Sequence, residues 1–156
     1  MPKFALFVRA NRDAESGVPP TTAAMQEMLT FNESLVKAGI LVAGEGLLPS
    51  SRGTRVSFTT SGDTSVAPGP FEVETLVSGF WVIKAANLDE ATGWARKVPF
   101  KDDRCSIEVR QVAGEDDFGD QMPDELKAKE GDLRKQTEGT GGGSSLNWSQ
   151  HWLRIP

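Results

Sequence analysis

The residue with the clearest chemical potential is Glu45, set between Gly44 and Gly46 at the end of a strand-like run. Flanking glycines let a ligand approach the backbone closely. A carboxylate partly buried there would have a raised pKa and could serve as a general acid or base near neutrality. The alternative is an ion pair with Arg55 or Arg104 that holds the strand end in place, since structural pairs also perturb carboxylates. Arg55, Lys84 and Arg110 fall on strand-like runs and could present positive charge to an anionic small molecule. Arginine adds bidentate contact to a carboxylate, although the same residues also suit a solvated, salt-bridged strand face. Phe71 and Trp81 complete the candidate ligand-binding set with Arg55, and Glu45 is the candidate catalytic residue. Trp81 is either a wall for stacking a ligand or the core of a subunit interface, and its strand, apolar on both sides, favours the interface.

Other chemistry is thinly supplied. The single histidine, His151, lies near the C-terminus, which leaves the rest of the chain without an imidazole for proton transfer or metal binding. Cys105 is alone, so no disulfide forms within one chain. Arg104 beside it could lower its pKa, but without a histidine partner an inert thiol is expected. Asp102-Asp103 would need further ligands to hold a metal and reads as a solvated turn. Gly141-Gly142-Gly143 has neither the preceding strand nor the lysine of a phosphate loop. The expectation is therefore a protein without cofactor or metal. A net charge of −5 with no basic block argues against nucleic acid. No apolar run is long enough to span a bilayer and no signal-peptide pattern opens the chain, so no membrane and a cytoplasmic location are expected.

These residues must be held by elements that the pattern outlines. Residues 3–9 alternate Phe4, Leu6 and Val8 with Ala5 and Phe7, a strand with little polar surface. Residues 11–20 are polar, with Gly17 and Pro19-Pro20, and read as a loop. Thr21 or Thr22 caps a helix whose stripe is Met25, Met28, Leu29, Asn32, Leu35 and Val36 and which Gly39 ends. Residues 40–47 and 54–60 are strands, Ser61-Gly62-Asp63 is a tight turn, and residues 64–67 return as a short edge strand. After the Ala67-Pro68-Gly69-Pro70-Phe71 corner, residues 76–85 form the longest strand candidate. Asn87 and Glu90 open a second helix in the manner of a capping box, with Ala91, Trp94, Ala95 and Val98 buried and Pro99 as the stop. Residues 106–112 alternate as a last strand. The predicted class is α+β, a ferredoxin-like β-α-β-β-β-α-β layer with both helices on one sheet face. Phe7, Trp81 and Ile83 are expected on the second face, and a bare apolar sheet face calls for a partner. A homodimer with facing sheets, a dimeric α/β barrel, covers it.

Three regions follow from composition: a domain over 1–113, a charged helical extension over 114–138, and a glycine-rich linker with a Trp-bearing tail over 139–156. In the extension, residues 123–136 read as a helix. In the tail, Trp148 and Trp152 stand at i,i+4 spacing with Leu153 and Ile155. An appendage, a partner-binding motif and a segment packing back on the fold all fit that tail.

The chain over residues 3–113 resembles the YCII-related proteins of the DGPF type. The resemblance rests on Lys37-Ala38-Gly39-Ile40-Leu41, Gly44-Glu45-Gly46-Leu47-Leu48-Pro49, Gly69-Pro70-Phe71 with Gly79-Phe80-Trp81, and Val98-Pro99. Glu115-Asp116-Asp117-Phe118-Gly119 also looks like an extension carried by some members. Pro68 stands where the signature has its aspartate, the spacer from Phe71 to Phe80 is one residue short, and no domain histidine matches the family's His-Asp pair. The resemblance implies a dimeric ferredoxin-like fold and, through bacterial relatives, association with an extracytoplasmic-function sigma factor. Three functions result: a homodimer that binds a small molecule beside the sheet, in a pocket between sheet and first helix near Glu45, Arg55, Phe71 and Trp81; a cofactor-free enzyme using Glu45 as acid/base; and a regulatory protein that docks a partner such as a sigma factor through its charged helix or Trp-bearing C-terminal tail.

Overall fold

The computed structural model describes residues 1–101, 104–114, 117–119 and 122–139. The Asp102-Asp103 pair, Glu115 and Asp116, and the Gly-rich and Trp-bearing segment from residue 140 onward, with His151, lie outside the described residues. In chain order the elements are β1 (Lys3–Arg9), α1 (Arg12–Glu15), α2 (Thr22–Lys37), β2 (Leu41–Gly46), β3 (Thr54–Phe58), β4 (Thr64–Pro68), β5 (Val77–Lys84), α3 (Leu88–Ala95), β6 (Ile107–Gln111) and α4 (Asp124–Gly139). Two 3-10 turns, Ser50–Arg52 and Val73–Thr75, flank the β3–β4 hairpin.

The class is α+β. Its main sheet has the strand order β2-β5-β1-β6 with every neighbouring pair antiparallel. Each helix-bearing connection therefore skips one strand: β5 fills the gap between β1 and β2, and β1 fills the gap between β5 and β6. β3 and β4 pair only with one another, as a separate two-stranded sheet. The predicted edge strand is thus a member of a hairpin apart from the main sheet.

Register decides what the sheet buries. Phe4 pairs with Ile83, Leu6 with Trp81 and Val8 with Gly79, so these side chains share one face. That face meets Phe31 and Leu35 of α2 and Ala91, Trp94 and Ala95 of α3 in a single core. The other face carries Ala5, Phe7, Phe80 and Val82 in its centre, and neither α2 nor α3 covers it. Trp81 and Ile83, expected on that second face, are instead 1% and 0% exposed beneath the helices. The strand is apolar on both sides, so alternation alone could not say which side the helices would take. Phe80 and Val82 are the residues that belong with Phe7.

The helices correct the sequence reading in two places. Residues 11–20 contain a single helical turn, α1, because the Asn11 side chain accepts the Ala14 N–H at 2.9 Å and so opens it. In α2 the buried stripe is Phe31, Asn32 and Leu35, while Leu29 and Val36 are 39% and 49% exposed. The helix is rotated to bring Phe31 edge-on to Trp81, with ring centroids 5.5 Å apart and planes at 83°. The ends are as expected: Thr21 accepts the Ala24 N–H, and Gly39 follows the helix at φ +68°.

Gly44 lies opposite Trp81 across the β2–β5 ladder, and a Cβ there would stand 2.7 Å from the indole Cδ1. Gly44→Ala is expected to lower unfolding stability by about 1–3 kcal/mol through this overlap, measured by urea denaturation followed with tryptophan fluorescence. Unchanged stability would mean that β2 does not press on the indole.

Candidate functional site

The Gly69-Pro70-Phe71 corner is fastened to the chain ahead of the hairpin through one hydroxyl. Ser50 Oγ accepts the Phe71 N–H at 3.0 Å and donates to Glu15 Oε2, and the Ser50 backbone N–H also donates to Glu15. A hydroxyl can donate once while accepting elsewhere, so Ser50 joins α1, a 3-10 turn and the corner in one relay. Gly69 donates its N–H to the Gly53 carbonyl at 3.0 Å, and a Cβ at Gly69 would run into the Ser50 carbonyl. Only glycine allows this close approach.

The corner then presents a cation on an aromatic ring. The Arg55 guanidinium carbon stands 4.1 Å from the Phe71 centroid, and Arg55 also donates to Thr75 Oγ1 at 3.1 Å. Such a contact is worth about 0.5–1 kcal/mol at an exposed site. Arg9, at the end of β1, donates to the Glu74 carbonyl. Two arginines from different strands thus hold the Val73–Thr75 turn. Of the residues singled out from sequence, the structure brings Arg55 and Phe71 together. Sequence reasoning missed Glu15, Ser50 and Arg9: Glu15 and Ser50 are 35 residues apart and carry no local motif.

Glu45 occupies a different setting from the one expected. It lies opposite Phe80 on the sheet face away from α2 and α3, and it is exposed. Trp81 is on the reverse face, so Glu45 and Trp81 do not look into one pocket between sheet and helix. Arg55 spends its contacts on Phe71 and Thr75, and Arg104 pairs with Asp13 at 3.0 Å. The open face has an ordered charge pattern. One transverse row reads Glu108, Phe7, Phe80, Glu45, and the next reads Arg110, Ala5, Val82, Ala43. Lys3 and Lys84 stand opposite one another beyond them.

On the covered face, Trp81 Nε1 donates to Asn32 Oδ1 at 2.9 Å, and Asn32 is 1% exposed. At 1% exposure the indole leaves no ring surface for a ligand. Asn32 Nδ2 is buried without a hydrogen-bond partner, a cost of about 1–3 kcal/mol for such a group. Cys105 accepts a long contact from Asn11 Nδ2 at 3.7 Å. Two clefts occur elsewhere. One of about 310 Å³ is bounded by Met1, Lys3, Val112 and Arg134; the other, about 340 Å³, by Glu27, Phe31, Ser34, Lys97 and Pro99. Neither includes Glu45, Arg55, Phe71 or Trp81. Among the described residues no group of three or more His, Cys, Asp or Glu could hold a metal ion, and no helix is long and apolar enough to cross a membrane.

Ser50→Ala deprives the Phe71 N–H of its acceptor and removes a donor from Glu15, and is expected to cost about 1–3 kcal/mol in urea unfolding. A cost near zero would show that water replaces the hydroxyl. Trp81→Phe takes from Asn32 its indole donor and opens space in the core, with an expected loss of about 2–4 kcal/mol measured by thermal and urea unfolding. A wild-type midpoint would mean that the indole bond carries no stability.

No curated protein matches the chain. The model of the YCII-related domain matches residues 4–115, a span that contains β1 from its second residue, β2 to β6, α1, α2, α3 and the Ser50–Phe71 corner. The chain belongs to the YCII-related domain family.

Proposed function

We propose that this protein is a ferredoxin-like subunit of a cytoplasmic homodimer, a dimeric α/β barrel formed by two open sheet faces, which binds a small molecule at the Glu45 end of that interface. The observation that carries this reading is the sheet face bearing Ala5, 8% exposed, with partly buried Phe7, Phe80 and Val82, none of which packs into the core with α2 and α3. An apolar centre rimmed by charge is the anatomy of a protein interface. The charge rows suit a second copy: turned through a twofold, the basic Arg110 and Lys84 rows of one sheet approach the acidic Glu108 and Glu45 row of the other. Pairing would also take Glu45 out of water and place its carboxylate at the interface. Arg55 and Phe71 at the corner supply a cation and a ring for an anionic ligand.

A second reading, a regulatory protein that docks a partner through its C-terminal region, is favoured by α4. Leu126 and Leu133, one heptad apart, are each 53% exposed. Their spacing puts both on one stripe of the helix.

The test is native mass spectrometry and sedimentation velocity on the full chain and on Phe80→Asp. Wild type is expected as a dimer, with a small added mass that is lost on unfolding. Phe80→Asp is expected as a monomer, because a charge in the apolar centre of that face opposes pairing, with far-ultraviolet circular dichroism checking that it stays folded. A monomeric wild type overturns the dimer, and a dimer that never carries or takes up a ligand overturns the binding reading. Glu45→Gln then separates binding from catalysis: retained ligand with lost turnover would favour the enzyme.

A further inference from the structure

Arg9 and Arg55 come from separate sheets and meet the same turn. Arg9 ends β1 of the main sheet and donates to the Glu74 carbonyl, while Arg55, on β3 of the hairpin, donates to Thr75 Oγ1 at 3.1 Å. Both acceptors are neutral oxygens, on adjacent residues of the Val73–Thr75 turn. The turn therefore gathers two positive charges and cancels neither.

Among the described residues, neither arginine forms an ion pair with a carboxylate. Arg104, Arg110 and Arg134 do, with Asp13, Glu108 and Glu130. Scarcity of acid is not the cause, since the chain carries 22 acidic residues against 17 basic ones. Even Glu74 gives Arg9 its backbone carbonyl and not its side chain. Arg9 is also only partly exposed, and a charge taken partly out of water without a counter-charge is costly.

The guanidinium groups have donors to spare. Each carries five N–H bonds, and each gives one nitrogen to the turn. Arg55 is held from one side by the Phe71 ring, 4.1 Å from the centroid, and Phe71 is itself tied to Ser50 Oγ. Groups fixed in advance lose little freedom when a ligand arrives. The pair also sits at the Glu45 end of the sheet, where Arg9 lies opposite Val77 and Gly46 opposite Gly79 of the same strand.

We infer that Arg9 and Arg55 form a two-arginine clamp for a small oxyanion, a carboxylate or phosphate group, beside the Val73–Thr75 turn. The inference rests on the small-molecule reading above and adds to it a second cation and the charge class of the ligand. Guanidinium forks match the paired oxygens of either group, and two of them suit a ligand with two negative charges.

The experiment is isothermal titration calorimetry of the full chain with succinate and, separately, with inorganic phosphate, at constant ionic strength. Wild type is expected to bind at least one probe with Kd below about 10 mM, and the tighter probe identifies the oxyanion. Arg9→Gln and Arg55→Gln are each expected to weaken binding at least about tenfold. Arg96→Gln, which removes the same charge from the end of α3, is expected to bind as wild type. An equal loss in Arg96→Gln would reveal an effect of net charge alone and overturns the clamp. Loss in Arg55→Gln but not in Arg9→Gln overturns the clamp and leaves the corner standing as a binding site. A wild type that binds neither probe overturns both. Phenylglyoxal labelling of wild type, located by peptide mass spectrometry, keeps the test independent of how the variants fold. The bound probe is expected to slow labelling at Arg9 and Arg55 together, and an unprotected Arg9 overturns the clamp.

Discussion

The indole of Trp81 is wedged between a strand and a helix, and much of the domain is arranged around it. Gly44 makes room for its edge on β2, Phe31 meets its face from α2, and Asn32 accepts its N–H. A buried indole needs a hydrogen-bond partner, and here the partner is a helix residue that is itself almost wholly buried. The rotation of α2 follows from this. With Asn32 directed at Trp81, Phe31 and Leu35 turn inward, and Leu29 and Val36 turn out to solvent. The buried amide nitrogen without a partner is a cost that the surrounding apolar packing offsets.

The same wedge divides the sheet. Because Trp81 and Ile83 fill the covered side, Phe80 and Val82 must take the other side with Phe7. Apolar surface is thereby displaced from the core to a face that the two packed helices leave bare. Glu45 is displaced with it, since it lies opposite Phe80. Any chemistry at Glu45 depends on what covers that face, because within the subunit it stands in water.

At the far end of β5, the corner that precedes the strand is organised by polar contacts. Glu15, Ser50 and the Phe71 amide form a chain of donors and acceptors that places Phe71 under Arg55. Gly69 is the steric condition, because a side chain there would occupy the Ser50 carbonyl. Pro68 closes β4 opposite Thr54. The corner also roots the hairpin, so Arg55 and the β3–β4 turn share one foundation.

The amino-acid sequence by itself determined the alternation of strand and helix, a threonine cap at Thr21 or Thr22, the cap at Asn87, the stop at Gly39 and the family. These depend on residues close together along the chain, or on motifs of adjacent residues. Arg55 and Phe71 were also legible as residues of interest, though nothing local placed one on the other. Only the tertiary structure decided which side of β5 the helices cover, because a strand apolar on both faces satisfies either choice. It alone joined Asn32 to Trp81 and Glu15 to Ser50, pairs separated by 49 and 35 residues. It also set the hairpin apart from the main sheet, since backbone pairing beyond a tight turn is chosen by register and packing across the fold.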